Sequence, residues 1–337
     1  MTQFPYPIVD AHLDLAYNAL RGRDVLRPAV EQTPDEEGIP TVGLPDLQRG
    51  GVRLICATIF CMPSADGKPG YRDAEEAYAD ANGQLDWYGE RERELAMSGV
   101  LGAGDLETVG ADRLNAIYLL EGADPVRDAN DLRHFFTRGV RVVGMAWKRT
   151  RYAGGTGAPG PLTDEGVQLV KVMDALGVIH DASHLAEESF WQLMDVSGGP
   201  VIASHSNCRA IVPTHRQLSD EMIRAVAARG GVIGINFYDK FLLSPAEYGK
   251  RRATLADVAH HVRHICDLAG NANCVGIGTD MDGGLGREQI PKEITTSADL
   301  PRVADALSGA GFGDDAVRGI TGGNWLRYFR RHLPQGA

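Results

Sequence analysis

GVIHDASHLAEESFWQLMDVSGGPVIASHSN, residues 177–207, reads as strand, loop, helix, loop, strand. GVIHDAS is a short apolar run followed by polar residues, and PVIASHS repeats that pattern. Between them LAEESFWQLM has the spacing of a short amphipathic helix. The stretch is therefore one β-α-β unit, and each strand delivers a histidine at its C-terminal end, His184 and His205. In parallel α/β architectures ligands bind at that end of the strands. Two imidazoles from neighbouring strands there point to a metal site.

Working outward, eight apolar, β-branched-rich runs can be counted, at 7–13, 52–60, 116–122, 140–147, 177–183, 200–206, 231–238 and 274–280. Helical patterns separate most of them. Residues 73–98 are long, charged and periodic; 163–176 open with Thr163 as N-cap; 219–229 open Ser-Asp; 254–270 end at a glycine. Strands that are continuously apolar imply a sheet covered on both faces. Eight of them with intervening helices predict an α/β fold, a (β/α)8 TIM-type barrel, with residues 1–337 as one catalytic domain. Residues 21–50, 149–162 and 281–297 fit neither simple strand nor helix. All three follow strands, on the side where barrel active-site loops sit.

The 337 residues are 43% apolar, enough for a large core, and carry a net charge of −11. No Lys/Arg-rich block is present, so nucleic acid is not an expected partner, and a small-molecule or peptide substrate fits better. MTQFPYPIVDAHLDLAY has no basic residue before Arg21 and no long apolar segment, which argues against a secretory signal; no run is long enough to span a membrane. Five scattered cysteines without a CxxC pair suggest reduced thiols and a cytoplasmic protein. Any metal is then expected on histidine and carboxylate ligands.

The candidates lie at the strand ends. His12 and Asp14 are two apart after the first run, and residues two apart on a strand share a side. Glu121 ends the third run. A glutamate there is a salt-bridge partner or a metal ligand, and its company at the same barrel end favours the metal. Either His184 or His205 alone would read as a hydrogen-bonded core residue; together, beside two carboxylates and a third histidine, they read as ligands. Asp181 is a candidate acceptor orienting one of them. Asp280, at the end of the eighth run, is either a loop cap or the acid/base that takes a proton from metal-activated water; Asp282 reads as a cap of the following turn. Summed, three histidines, one aspartate, a central glutamate and a separate aspartate suit two divalent ions, zinc by preference, sharing one carboxylate and one hydroxide. His260, His261 and His264 mimic HExxH without its glutamate and read as a solvated helix face. Gly154–Gly157 lacks a surrounding phosphate motif, and Cys208 has no base beside it.

The pattern resembles the membrane (renal) dipeptidase family, peptidase family M19, of the binuclear-metal amidohydrolase superfamily. DAHLDL (10–15), GLPDLQRGGV (43–52), LLEGADP (119–125), HDASH (180–184), VIASHSNCRAI (201–211), GINFY (234–238), VGIGTDMDG (275–283) and GGNWLR (322–327) carry it. They span nearly the whole chain in family order. The resemblance implies that His12 and Asp14 bind one zinc, that His184 and His205 bind the other, and that Glu121 bridges them. It implies Asp280 as acid/base and Arg216 as the group gripping the substrate's C-terminal carboxylate. It also implies two zinc ions per subunit, a dipeptide or small amide as substrate, and a homodimer.

The animal members of that family carry a substrate-binding histidine after the fourth strand, where this chain has GMAWKRTRYAGG (144–155) and places Trp147. Polarisation of the scissile carbonyl then falls to Lys148, Arg149 or the second zinc. The expected function is zinc-dependent hydrolysis of dipeptides, L-Xaa-L-Xaa and L-Xaa-D-Xaa. A non-peptide amidase or deaminase is the nearest alternative, and a catalytically silent binding protein on the same barrel is the next.

Overall fold

The computed structural model describes residues 6–65, 69–94, 96–110 and 113–335. All eight apolar runs form parallel strands: Ile8–Leu13, Val52–Phe60, Leu114–Glu121, Val140–Gly144, Ile179–Asp181, Val201–Ile202, Ile233–Ile235 and Val275–Ile277. They pair in chain order, and the eighth pairs with the first through Asp10 and Ile277. Between the sixth and seventh strands the ring is completed by a parallel bridge from Ala203 to Ile233, with Ala203 N–H on the Val232 carbonyl at 3.0 Å. The hydrogen-bonded part of several strands is short because their last residues leave the sheet to form the site. A further short strand, Met97–Gly99, lies along the start of the third.

Alternate residues point inward along each strand. Leu54, Cys56, Ile117, Leu119, Val142, Ile179 and Ile202 fill the lower barrel, and the C-terminal helix Asn324–His332 closes it with Trp325 and Phe329. The Trp325 indole N–H donates to the Ile277 carbonyl at 2.9 Å, so this large ring is buried without an orphaned donor. Near the mouth, Gly234 and Gly278 both press on the backbone of Ser204. A Cβ on either would lie within 2 Å of the Ser204 carbonyl oxygen, at 1.9 Å and 1.8 Å. Strands six, seven and eight can meet there because these two residues have no side chain.

The helices start where the sequence signals them. Thr163 accepts the Gly166 N–H at 3.0 Å and Ser219 the Met222 N–H at 3.3 Å. Helix Leu255–Ala269 ends at Gly270 in the left-handed region, φ 71°. No described helix is long and apolar enough to cross a membrane.

Three expectations are corrected. Residues 149–162 are not a simple loop: Ala153–Gly155 and Ala158–Leu162 pair as an antiparallel hairpin. His261 is no solvated residue but fully buried, accepting the Cys208 N–H and donating to the Leu242 carbonyl, each at 3.2 Å. The 3.6-residue period turns it inward while His260 stays exposed. Asp282 does not cap the following turn. Its buried carboxylate accepts from Thr41 N–H, Thr41 Oγ1 and Val42 N–H and pairs with Arg23 at 3.3 Å, fastening the 21–50 segment over the mouth.

Candidate metal centre

The first strand contributes by breaking its own alternation. Val9 and Ala11 face the interior, so a regular strand would next send Leu13 inward. Instead the pairing slips by one residue between Asp10–Ile55 and Leu13–Ala57. An extra residue in one strand flips everything beyond it, and His12 enters the mouth. Asp14 lies just past the strand, at the start of helix Leu15–Leu20 with φ −87° and ψ 49°. His12 and Asp14 do converge, with Nε2 to Oδ2 4.0 Å, although by bulge and turn rather than by strand alternation.

Glu121 follows Ile117 and Leu119 on the inward side of the third strand and sits at the centre. His12 Nε2 is 3.5 Å from one carboxylate oxygen, and His184 Nε2 and His205 Nε2 are 3.1 Å and 3.3 Å from the other. His184 and His205 both lie beyond their strands. His184 has φ 66°, and Asp280 and Asp282 have φ 59° and 62°; these are the only non-glycine positive-φ residues among those described. Such backbone costs of order 1–3 kcal/mol each and persists only where surroundings enforce it.

All three imidazoles are held from behind by hydroxyls. Ser204 Oγ lies 3.2 Å from His12 Nδ1 and 2.7 Å from His205 Nδ1, and donates to Asp181, whose other oxygen accepts the Ser204 N–H at 2.8 Å. Thr156 Oγ1, at the turn of the hairpin, lies 2.9 Å from His184 Nδ1. With its one proton given to Asp181, the Ser204 oxygen accepts from both imidazoles. Their Nδ1 atoms then carry protons and their Nε2 atoms face Glu121. Asp181 thus acts on the ligands through Ser204, one atom further away than the expected direct contact.

The front of the cluster is unsatisfied. His12 Nε2, Asp14 Oδ1 and Glu121 Oε1 are buried with no hydrogen-bond partner. Ligand atoms of His12, Glu121 and His205 lie within 4.8 Å of one another, and so do those of His12, Asp14 and Asp280. Nε2 lone pairs and carboxylate oxygens are the donor set zinc takes, so the residues fit a binuclear centre. Electrostatics agree. Burial opposes charge on His12, yet Glu121 and Asp14 carry its pKa up to about 10. Burial lifts Asp14 well above the usual carboxylate range. Burial, with Arg216 nearby, lowers His184 to about 4.

Burial also raises Asp280 to about 6, against the pull of His12. Its Oδ2 accepts from Asn236 Nδ2 at 2.8 Å, and Asn236 is itself pinned to Asn207 through paired contacts of 2.9 Å. Arg216 is buried beside the histidines. It donates to Ser206 Oγ at 3.0 Å and to the His205 carbonyl at 2.8 Å, its Nε is unpartnered, and its guanidinium lies 5.3 Å from the Phe241 ring.

A cavity of about 220 Å3 opens over the cluster, walled by Tyr17, Phe60, Met62, Trp147, Tyr238, Phe241 and Leu285, with Asp14, Glu121, His184 and Asp280 at its floor. Trp147 lines it, edge-on to Phe60 at 5.1 Å. Lys148 reaches the wall while Arg149 bonds to the Pro159 carbonyl. Arg216 is not among the lining residues. Ser204, Thr156 and Glu37 escaped the sequence reading. Ser204 had a weak signal as the hydroxyl preceding a candidate ligand, and the other two had none.

Comparison with known proteins places these features in context. The sequence profile described as Membrane dipeptidase (Peptidase family M19) matches residues 2–333. An uncharacterized protein in the pqqA 5′ region of Klebsiella pneumoniae is 32% identical over 68% of this chain and 87% of its own length. An uncharacterized dipeptidase of Schizosaccharomyces pombe is 29% identical over 59% of this chain, and the match spans 48% of that protein's length. The crystal structure of a metallo peptidase from Rhodobacter sphaeroides, liganded with a phosphinate mimic of the dipeptide L-Ala-D-Ala, superposes with a TM-score of 0.82 at 26% identity, covering 97% of this chain and 99% of that one.

Proposed function

The chain belongs to the membrane dipeptidase family, peptidase family M19, and on that premise we propose that it is a zinc-dependent dipeptidase. The observation that carries the reading is the cluster itself: three imidazoles, each braced at Nδ1 by a hydroxyl, present Nε2 to one buried carboxylate. His12 and Asp14 would hold one ion, His184 and His205 the other, and Glu121 both. Bound zinc would supply an activated water and Lewis-acid polarisation of the amide carbonyl.

The chain's own groups do the rest. Asp280, oriented by Asn236, takes a proton at its free oxygen and delivers it to the departing amine. Burial favours the protonated form of this carboxyl, which suits a group that holds a proton between two transfers. Arg216 supplies a buried positive charge behind His184 and His205, which favours the substrate's carboxylate in the cavity. Lys148, next to the Trp147 that stands in place of the family histidine, brings a second cation to the wall. Apolar walls exclude water and accept the side chains. The relative bound to a mimic of L-Ala-D-Ala supports including D-residues at the C-terminal position.

The test is a panel of L-Xaa-L-Xaa and L-Xaa-D-Xaa dipeptides with zinc-loaded protein. Turnover is expected, lost to a chelator and regained with zinc. Asp280→Asn is expected to cut kcat by about 100- to 10,000-fold while metal content stays unchanged. Full turnover by metal-free protein, or by Asp280→Asn, would overturn the assignment.

A further inference from the structure

Of the charged side chains lining the cavity, Asp14, Glu121 and Asp280 belong to the cluster around the imidazoles; Glu37 and Lys148 do not. Glu37 is held out over the floor by a built turn. Asp35 and Gly38 exchange backbone hydrogen bonds of 3.2 Å and 3.1 Å, and Glu37 N–H donates to Asp35 Oδ1 at 2.9 Å. Arg23 faces Glu37, and it is shared with Asp35 and Asp282. Its Nε and Nη2 each bond Asp35 at 2.6 Å, and its Nη1 pairs with Asp282 at 3.3 Å. Glu37 is left 3.9 Å from Arg23 Nη2, beyond hydrogen-bond range, with its side chain 28% exposed. Its carboxylate accepts no hydrogen bond from any described residue.

Burial raises the pKa of Glu37, and Asp35 and Asp282 add to the rise against Arg23. A half-buried carboxylate that accepts no hydrogen bond from the protein gains from a cationic donor that reaches it. Glu37 and Asp14 line the same cavity. In a dipeptide the α-nitrogen is bonded to the carbon that carries the attacked carbonyl. The ammonium must therefore sit beside the cluster.

We infer that Glu37 receives the free α-ammonium of the substrate's N-terminal residue and so restricts the site to unblocked dipeptides. The assignment rests on the dipeptidase reading. The ammonium offers three donors and a full charge to a carboxylate that accepts no hydrogen bond from a described residue and faces Arg23 only at 3.9 Å. An N-acyl group removes the charge and adds bulk in an enclosed space.

The experiment measures binding apart from turnover. Zinc-loaded Asp280→Asn protein is titrated calorimetrically with L-Ala-L-Ala and with N-acetyl-L-Ala-L-Ala, with and without Glu37→Gln. Glu37 protein is expected to bind the free dipeptide about 10- to 100-fold more tightly than the acetylated one, the range for a hydrogen bond between charged groups. Glu37→Gln is expected to bring that ratio to about threefold or less at unchanged zinc content. Glu37→Asp, which keeps the charge on a shorter arm, should fall between and serves if the glutamine variant folds poorly. A ratio that survives Glu37→Gln, or equal binding of both compounds by the Glu37 protein, would overturn the inference. Failure of the protein with Asp280 intact to cleave any dipeptide would instead sink the dipeptidase reading, and the calorimetric ratio would still decide the role of Glu37.

Discussion

Ser204 is the residue on which the cluster turns, because one oxygen braces His12 and His205 at once. Removing a partner of this kind typically costs 10- to 100-fold in metal affinity. Ser204→Ala is therefore expected to weaken both ions in a zinc titration followed by calorimetry, whereas Thr156→Ala, which frees only His184, should weaken one. Ser204→Ala protein with two ions at the original affinity would remove this role. His261 makes a second prediction at this scale. Burial lowers its pKa from 6.5 to about 4, and its Nδ1 already accepts the Cys208 N–H, so a proton there would displace that bond. The folded state then binds fewer protons than the unfolded one between these values. The stability His261 contributes is complete above pH 6.5 and is lost as pH falls towards 4. Urea midpoints measured across that window should slope by at most about 1.4 kcal/mol per pH unit more in the natural protein than in His261→Asn.

Among the elements, the segments that defied a simple strand or helix reading prove to be the ones that build the mouth. The hairpin Ala153–Leu162 carries Thr156 to His184, and the segment after the first strand carries Glu37. That segment is fastened by Asp282, which takes three hydrogen bonds from Thr41 and Val42 and faces Arg23. Asp282→Ala leaves these donors buried and unpaired. The expected loss is about 3 kcal/mol, at the low end for a broken buried pair because Arg23 keeps Asp35. Limited proteolysis should then cut between residues 21 and 43 first. A variant as resistant as the parent would show that other contacts hold the segment.

For the whole molecule, metal and fold stability are linked. Asp14, Glu121 and Asp280 are gathered at one end of the barrel with His12 as the cation among them. Ions that bind the folded chain stabilise it by mass action, by about 2.7 kcal/mol per site at a hundredfold excess over Kd. Chelation is expected to lower the melting temperature by a few degrees, about 1–2 °C for each kcal/mol in a chain of this size, and zinc to restore it. An unchanged melting curve would mean that the cluster holds no tightly bound ion.

The eight strands, the helix starts at Thr163 and Ser219 and the positions His12, Asp14, Glu121, His184, His205 and Asp280 were legible in the sequence. Apolar runs, caps and polar residues at strand ends are local signals, and eight of one kind leave few ways to bury them. What braces and shapes the site was not legible. The bulge that turns His12 inward, the left-handed backbone at His184 and Asp280, and Ser204 between two rings arise only where separate strands press together. The same holds for Glu37, which reaches the cavity across a long loop, and for Arg216, whose Nη1 and Nη2 donate to Ser206 and to the His205 carbonyl. The sequence by itself determined the barrel and the chemical types of the residues gathered at its mouth, because periodicity and residue identity are properties of short stretches. Only the tertiary structure decided which buried polar atoms are left without a hydrogen-bond partner, because that depends on neighbours far away in the chain.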